Sequence, residues 1–123
     1  MYGTAEAALQ GQVIRLAAAE RIYGENIPKF FGGFYKPIGM EFEIEGIGDI
    51  IGQETELSNR LYWKVVKDGS LRNNGLEFVS KPVCGHGIDY ALCELERILV
   101  GHPGRTSSVR TSIHVHVDVS NWD

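Results

Sequence analysis

Two stretches of this chain carry acidic or imidazole side chains at every second position. In Gly39-Met40-Glu41-Phe42-Glu43-Ile44-Glu45 the glutamates alternate with apolar residues, and in Ser112-Ile113-His114-Val115-His116-Val117-Asp118 two histidines and an aspartate do the same. A period of two is that of a β-strand, whose successive side chains point to opposite faces. His114, His116 and Asp118 should therefore project from one side at intervals of about 6.5–7 Å, set by a rise of about 3.3 Å per residue. Three glutamates along one strand face repel each other unless solvent or cations compensate them. A glutamate-rich group with one or two imidazoles suits a hard or borderline ion, Mg²⁺ or Mn²⁺ before a structural Zn²⁺. With Glu77 on a third predicted strand, the expectation is a polar sheet face on which the carboxylates of Glu41 and Glu43 and the imidazoles of His114 and His116 form a divalent-metal site. The plainer alternative is a solvated sheet face bearing surface histidines.

Those groups need a sheet to display them. The alternation predicts one strand over 38–46 and another over 109–119, with Ile113, Val115, Val117 and Val119 forming the apolar side of the latter. Leu-Tyr-Trp-Lys-Val-Val-Lys predicts a strand over 61–67, and Leu-Glu-Phe-Val-Ser one over 76–80 that stops at Pro82. Asp68-Gly69-Ser70 and Asn73-Asn74-Gly75 are turn sequences, the Asn-Gly step favouring a tight hairpin. Two helices complete the set. One is expected over 4–23, capped by Thr4, ended by Gly24, and packing through Leu9, Val13, Leu16 and Ile22 or Tyr23. The other is expected over 88–100, with Ile88, Leu92, Leu95 and Leu99 at helical spacing and Gly101 and Pro103 beyond it. Between the first helix and the first strand, Phe30, Phe31, Phe34 and Tyr35 surround a Gly32-Gly33 pair. They are expected to plug the core; the other reading is a substrate-facing loop. The sum is an α+β fold with a mostly antiparallel sheet and two helices.

Bulk properties narrow the function. A chain of 123 residues is enough for one domain with a real core. A hydrophobic share of 43% and a charged share of 23% are those of an ordinary globular protein. A net charge of −4 leaves no broad basic surface, so no nucleic-acid partner is expected. Cys84 and Cys93 match no CxxC spacing and are expected to be small buried hydrophobes, in keeping with a reducing cytoplasm. No basic stretch followed by an apolar run marks a signal peptide, and no apolar stretch is long enough to span a bilayer. His86 and His102 lie in predicted glycine-rich loops and are expected to be exposed and inert.

Four motifs in order carry a resemblance: Gly39-Met40-Glu41-Phe42-Glu43; Trp63 with Asp68-Gly69-Ser70-Leu71; Gly75-Leu76-Glu77-Phe78-Val79-Ser80-Lys81-Pro82; and Ser112-Ile113-His114-Val115-His116-Val117-Asp118. Together they resemble the amidoligase family, which is related to glutamine synthetase and glutamate–cysteine ligase and is frequent in phage and bacterial genomes. The resemblance covers 38–119 and leaves 1–37 as a separate N-terminal helix and aromatic, glycine-containing loop. It implies a partial glutamine synthetase-like catalytic fold over 38–123. It also implies an enzyme using ATP and Mg²⁺ or Mn²⁺ to join a small-molecule or peptide carboxylate to an amine. Under it, Glu41, Glu43 and Glu77 match the metal glutamates and His114 the metal-ligating histidine. His116 matches the histidine near phosphate or substrate, and Asp68 and Ser70 a motif that shapes the site. Arg110 stands, with Arg72 and Arg105, as a nearby candidate for a nucleotide contact, though none matches the family's later arginine motif.

Members of that family usually continue for at least as long again beyond the histidine strand, with phosphate-holding arginines, nucleotide contacts and a further metal glutamate. The chain is therefore expected to be a fragment, a split form completed by a C-terminal half, or a truncated relative, with self-association through an exposed sheet edge as another outcome. The competing reading is a non-catalytic, metal-stabilised structural or interaction module of a larger, phage or cellular, assembly. A metal hydrolase built on His114, His116 and Asp118 is a weaker third, lacking a recognisable general base.

Overall fold

In the structure, a computed structural model, residues 5–24, 26–44, 60–66, 76–100 and 112–117 are described. The elements run α1 (Ala5–Tyr23), β1 (Ile38–Ile44), β2 (Trp63–Val66), β3 (Leu76–Ser80), α2 (His86–Val100) and β4 (Ser112–Val117). The strands form one antiparallel sheet in the order β2-β3-β1-β4. The α+β expectation holds.

The sheet's two faces follow from the alternation. Ile38, Met40 and Ile44 of β1, Trp63 and Val65 of β2, and Leu76 and Phe78 of β3 are buried on one side. Ile88, Ala91, Leu95 and Ile98 of α2 complete the same cluster. Of the predicted stripe, Ile88 and Leu95 are buried while Leu92 and Leu99 are half-buried at its edge, Ala91 and Ile98 taking the centre; the helix starts two residues earlier than expected, at His86. Trp63 is held by both α2 and β1. Its Nε1 donates to the Ala91 carbonyl at 2.6 Å, and its ring meets Phe42 edge-on at 5.5 Å. Ser80 lies among these apolar residues because its Oγ accepts the Met40 N–H at 2.8 Å, which satisfies a buried donor.

α1 ends as expected. Gly24 has a φ of +76°, and its N–H donates back to Glu20 O at 3.0 Å. The face it buries is only part of the expected one. Leu16 and Tyr23 pack inward as expected, with Ala19 beside them, whereas Val13 and Ile22 are 62% and 60% exposed. Polar side chains share that inner face: Gln12 accepts from the Cys84 N–H at 3.0 Å, and Arg15 donates to Pro82 O at 3.3 Å. The small Ala19 lets α1 lie close against α2, and hydrogen bonds, not an apolar stripe, set its rotation.

The aromatic segment is not a core plug. Phe30 and Tyr35 are 80% and 84% exposed, and Phe31 and Phe34 lie on the surface too. What holds it is Asp89 of α2, whose carboxylate accepts the N–H groups of Phe30 at 2.7 Å and Phe31 at 3.2 Å. Nor are the cysteines fully buried; both are free and half-exposed, and burial pushes the Cys84 thiol up.

Tyr62 gives a direct test of this packing. Its side chain is buried, yet its hydroxyl has no hydrogen-bond partner among the described residues. An unpaired buried hydroxyl is a net cost. Tyr62→Phe is expected to raise unfolding stability by about 1 kcal/mol. Urea denaturation with an unchanged m value checks it; a loss of stability would mean the hydroxyl has a partner.

Candidate functional site

The face opposite the core is the polar one, and strand register decides who meets whom on it. Glu41 of β1 stands directly opposite His114 of β4, and Gly39 opposite His116. Glu43 stands opposite Glu77 of β3 on one side and Ser112 on the other. Antiparallel pairing keeps facing residues on the same side of the sheet, so Glu41, Glu43, Glu77, His114 and His116 all share one surface. Lys64 of β2 pairs with Val79 and joins that surface as an exposed cation.

Glu41 is the hub. Its Oε2 lies 3.6 Å from His114 Nδ1 and 3.4 Å from His116 Nε2. These are long for hydrogen bonds. They are close to the roughly 3.0–3.6 Å that separates two donors bound to one ion at about 2.0–2.2 Å. Glu41 is 30% exposed, and the imidazoles of His114 and His116 are 53% and 68% exposed. Such side chains turn readily between rotamers. Among the described residues no three His, Cys, Asp or Glu side chains are already arranged to hold a metal ion. The donor types suit a divalent cation, and Glu41 lies within ligand-to-ligand reach of both imidazoles; the enclosing geometry is not preformed.

Glu43 and Glu77 are two carboxylates directly across a strand pair, an arrangement that is unfavourable unless positive charge offsets it. Together with Glu41 they make the middle of the sheet acidic, with imidazoles toward β4 and Lys64 toward β2. Such a surface can gather a divalent cation at its centre and offer an N–H or ammonium donor to an anion at either flank. Asp68, Ser70, Asp118 and the arginine candidates Arg72, Arg105 and Arg110 lie outside the described residues, as do Glu45, Val119 and His102.

Sequence reasoning missed two features. Lys64 was legible as the alternate residue between Trp63 and Val65 but went unremarked among apolar neighbours. His86 was expected to be a free loop residue. Instead it opens α2, and its Nδ1 lies 3.2 Å from Asp89 Oδ2, the carboxylate that also holds the aromatic segment. The i,i+3 spacing of His86 and Asp89 was the available signal. Beside this pair a cleft of about 540 Å³ opens between the 26–31 segment and α2, lined by Pro28, Phe31, Leu92, Cys93, Glu96 and Arg97.

Among the described residues no helix is long and apolar enough to cross a membrane. No family model, curated protein or solved structure matches the chain.

Proposed function

We propose that this protein is, or forms part of, an ATP- and divalent-cation-dependent carboxylate–amine ligase of glutamine synthetase-like type, working in the cytoplasm. The observation that carries the reading is the register: Glu41 opposite His114 and Glu43 opposite Glu77, on one face of one sheet. The ordered motifs over 38–119 support it from the sequence side.

In this reading Glu41, Glu43, Glu77 and His114 hold Mg²⁺ or Mn²⁺, which when bound offsets the charge of the ATP phosphates. A carboxylate oxygen of the substrate takes the γ-phosphoryl group, releasing ADP and leaving an acyl phosphate. The amine nitrogen then attacks the acyl carbon, inorganic phosphate departs, and the amine loses a proton as the amide forms. His116 faces the phosphate or the substrate and orients it. Lys64, at the other flank of the acidic strip, is placed to meet the anionic carboxylate or phosphate. Asp68 shapes the site and Arg110 contacts the nucleotide, two roles carried by the motif resemblance and the sequence alone. Sequestering the acyl phosphate from water needs cover over this open face, supplied by a complementary C-terminal half or another subunit.

The test is ADP release in the presence of ATP, Mg²⁺, a panel of carboxylates and hydroxylamine as the amine, with and without a supplied C-terminal half. The expected result is ADP release that requires both co-substrates, with hydroxamate formed in equal amount. Glu43→Ala should lower the rate about 100-fold or more, since it removes charge compensation at the transferring phosphoryl group. ADP release indifferent to carboxylate and amine, or untouched by Glu43→Ala, would sink the reading.

One observation favours a second reading. The apolar side of β4 is exposed, as expected of a chain that works by docking onto another protein. A metal-stabilised interaction module would bind Mn²⁺ but not ATP, and calorimetry with each ligand alone separates the two.

A further inference from the structure

β4 lies at the end of the described sheet, paired on one side to β1. Its apolar residues continue the face that α2 covers elsewhere, since Met40 pairs with Val115, Phe42 with Ile113 and Ile38 with Val117. The cover does not extend to them. Ile113 is 62% exposed, Val115 53% and Val117 38%, while Met40 and Ile38 beside them are buried. Within the strand itself, Ser-Ile-His-Val-His-Val, there is no lysine and no proline, and the register with β1 is unbroken by a bulge, so nothing in 112–117 opposes edge pairing.

We propose that two copies of this chain pair through β4, antiparallel about a two-fold axis at Val115, to make one continuous sheet across the dimer. The occupant is a second copy because the strand's pattern is its own complement. Ile113-His114-Val115-His116-Val117 reads apolar, imidazole, apolar, imidazole, apolar in both directions. Turned about Val115, it sets Ile113 beside the partner's Val117 and His114 beside the partner's His116. Apolar then meets apolar on one face and imidazole meets imidazole on the other, with N–H and C=O groups that point away from β1 paired across the axis. Charge is compatible as well. Among 112–117 there is no lysine, arginine, aspartate or glutamate, so no like charges of those types are forced together. Each imidazole row is backed by the Glu41 carboxylate of its own copy at 3.4–3.6 Å. The same pairing joins the two polar faces, so the strip holding Glu41 and His114 gains the partner's His116 as a neighbouring donor. This association does not rest on the ligase reading.

Sedimentation velocity on the full chain across a concentration series tests it, alongside Val115→Lys and Ile113→Glu in β4 and Ile14→Lys in α1. All three sites are exposed, so the monomer fold should tolerate them, which circular dichroism verifies. The expected result is a reversible dimer whose association weakens about tenfold or more in Val115→Lys, where two ammonium groups meet on the axis. Ile113→Glu should weaken it too, and Ile14→Lys should leave it unchanged. A chain that stays monomeric throughout overturns the proposal. So does a dimer that survives both β4 changes, or one broken only by Ile14→Lys, which would put the contact on α1.

Discussion

Replacing Glu94 with alanine is expected to lower unfolding stability by roughly 3–5 kcal/mol and the melting temperature by roughly 10–20 °C. Glu94 is only 1% exposed, on the inner side of α2. Its Oε1 accepts the Tyr62 N–H at 3.0 Å, and its Oε2 accepts the Leu61 N–H at 3.3 Å and the Tyr23 hydroxyl at 3.0 Å. One carboxylate thus ties α1, the entry to β2 and α2 together. Truncation strands two backbone donors and a phenol, each at a cost of about 1–3 kcal/mol when buried. Such a loss is a large part of the 5–15 kcal/mol that typically holds a domain together. Glu94→Gln keeps one acceptor and turns the other position into a donor facing a donor, so a smaller loss is expected. Thermal unfolding of both variants, with hydrogen exchange at the Leu61 and Tyr62 amides, provides the check. An alanine variant as stable as wild type would mean the three donors find other partners.

The same contact makes stability depend on pH at the alkaline end. Burial, followed by the Glu94 charge and hydrogen bond, raises Tyr23 from 10.0 to about 12. Tyr62 is raised too, first by burial. A pKa higher in the folded state means that the unfolded chain loses its proton first. The stabilisation is full below about pH 10 and is lost as pH rises through the folded-state value near 12.

The second large effect is expected at the polar face. Mn²⁺ at about 100 times its dissociation constant should stabilise the wild-type protein by about 2.7 kcal/mol, the amount that binding the folded state alone supplies. Glu41→Gln should weaken that binding about 100-fold or more. The reason is position: Glu41 is the carboxylate that both imidazoles approach, so losing its charge removes the ligand common to the group. Lys81→Ala, at an exposed position beyond β3, should leave binding unchanged. Calorimetric titration with Mn²⁺ reads both. Equal affinity in wild type and Glu41→Gln would return Glu41, His114 and His116 to an ordinary solvated sheet face.

How much of this was legible beforehand varied with the element. β3 over 76–80 and the stripe of α2 were readable because one face of each is buried and the other is not. α1 was read only in part because alanines and apolar residues surround it, so no side is distinguished; its orientation is set by the hydrogen bonds of Gln12, Arg15 and Tyr23 with distant segments. The aromatic segment was misread because composition alone suggested burial, while its placement depends on two backbone N–H groups reaching Asp89. His86 was misread for the same reason, since its partner lies within a helix that starts earlier than its apolar stripe.

The amino-acid sequence by itself determined which residues share a strand face. Glu41 with Glu43, and His114 with His116, follow from a local period of two that any extended strand imposes. Only the tertiary structure decided that Glu41 faces His114, that Glu43 faces Glu77, and that β4 ends the described sheet with its valines and Ile113 uncovered. Those facts depend on hydrogen-bond register and strand order between segments far apart in the chain. A strand's own pattern specifies which way its side chains point but not which strand lies beside it.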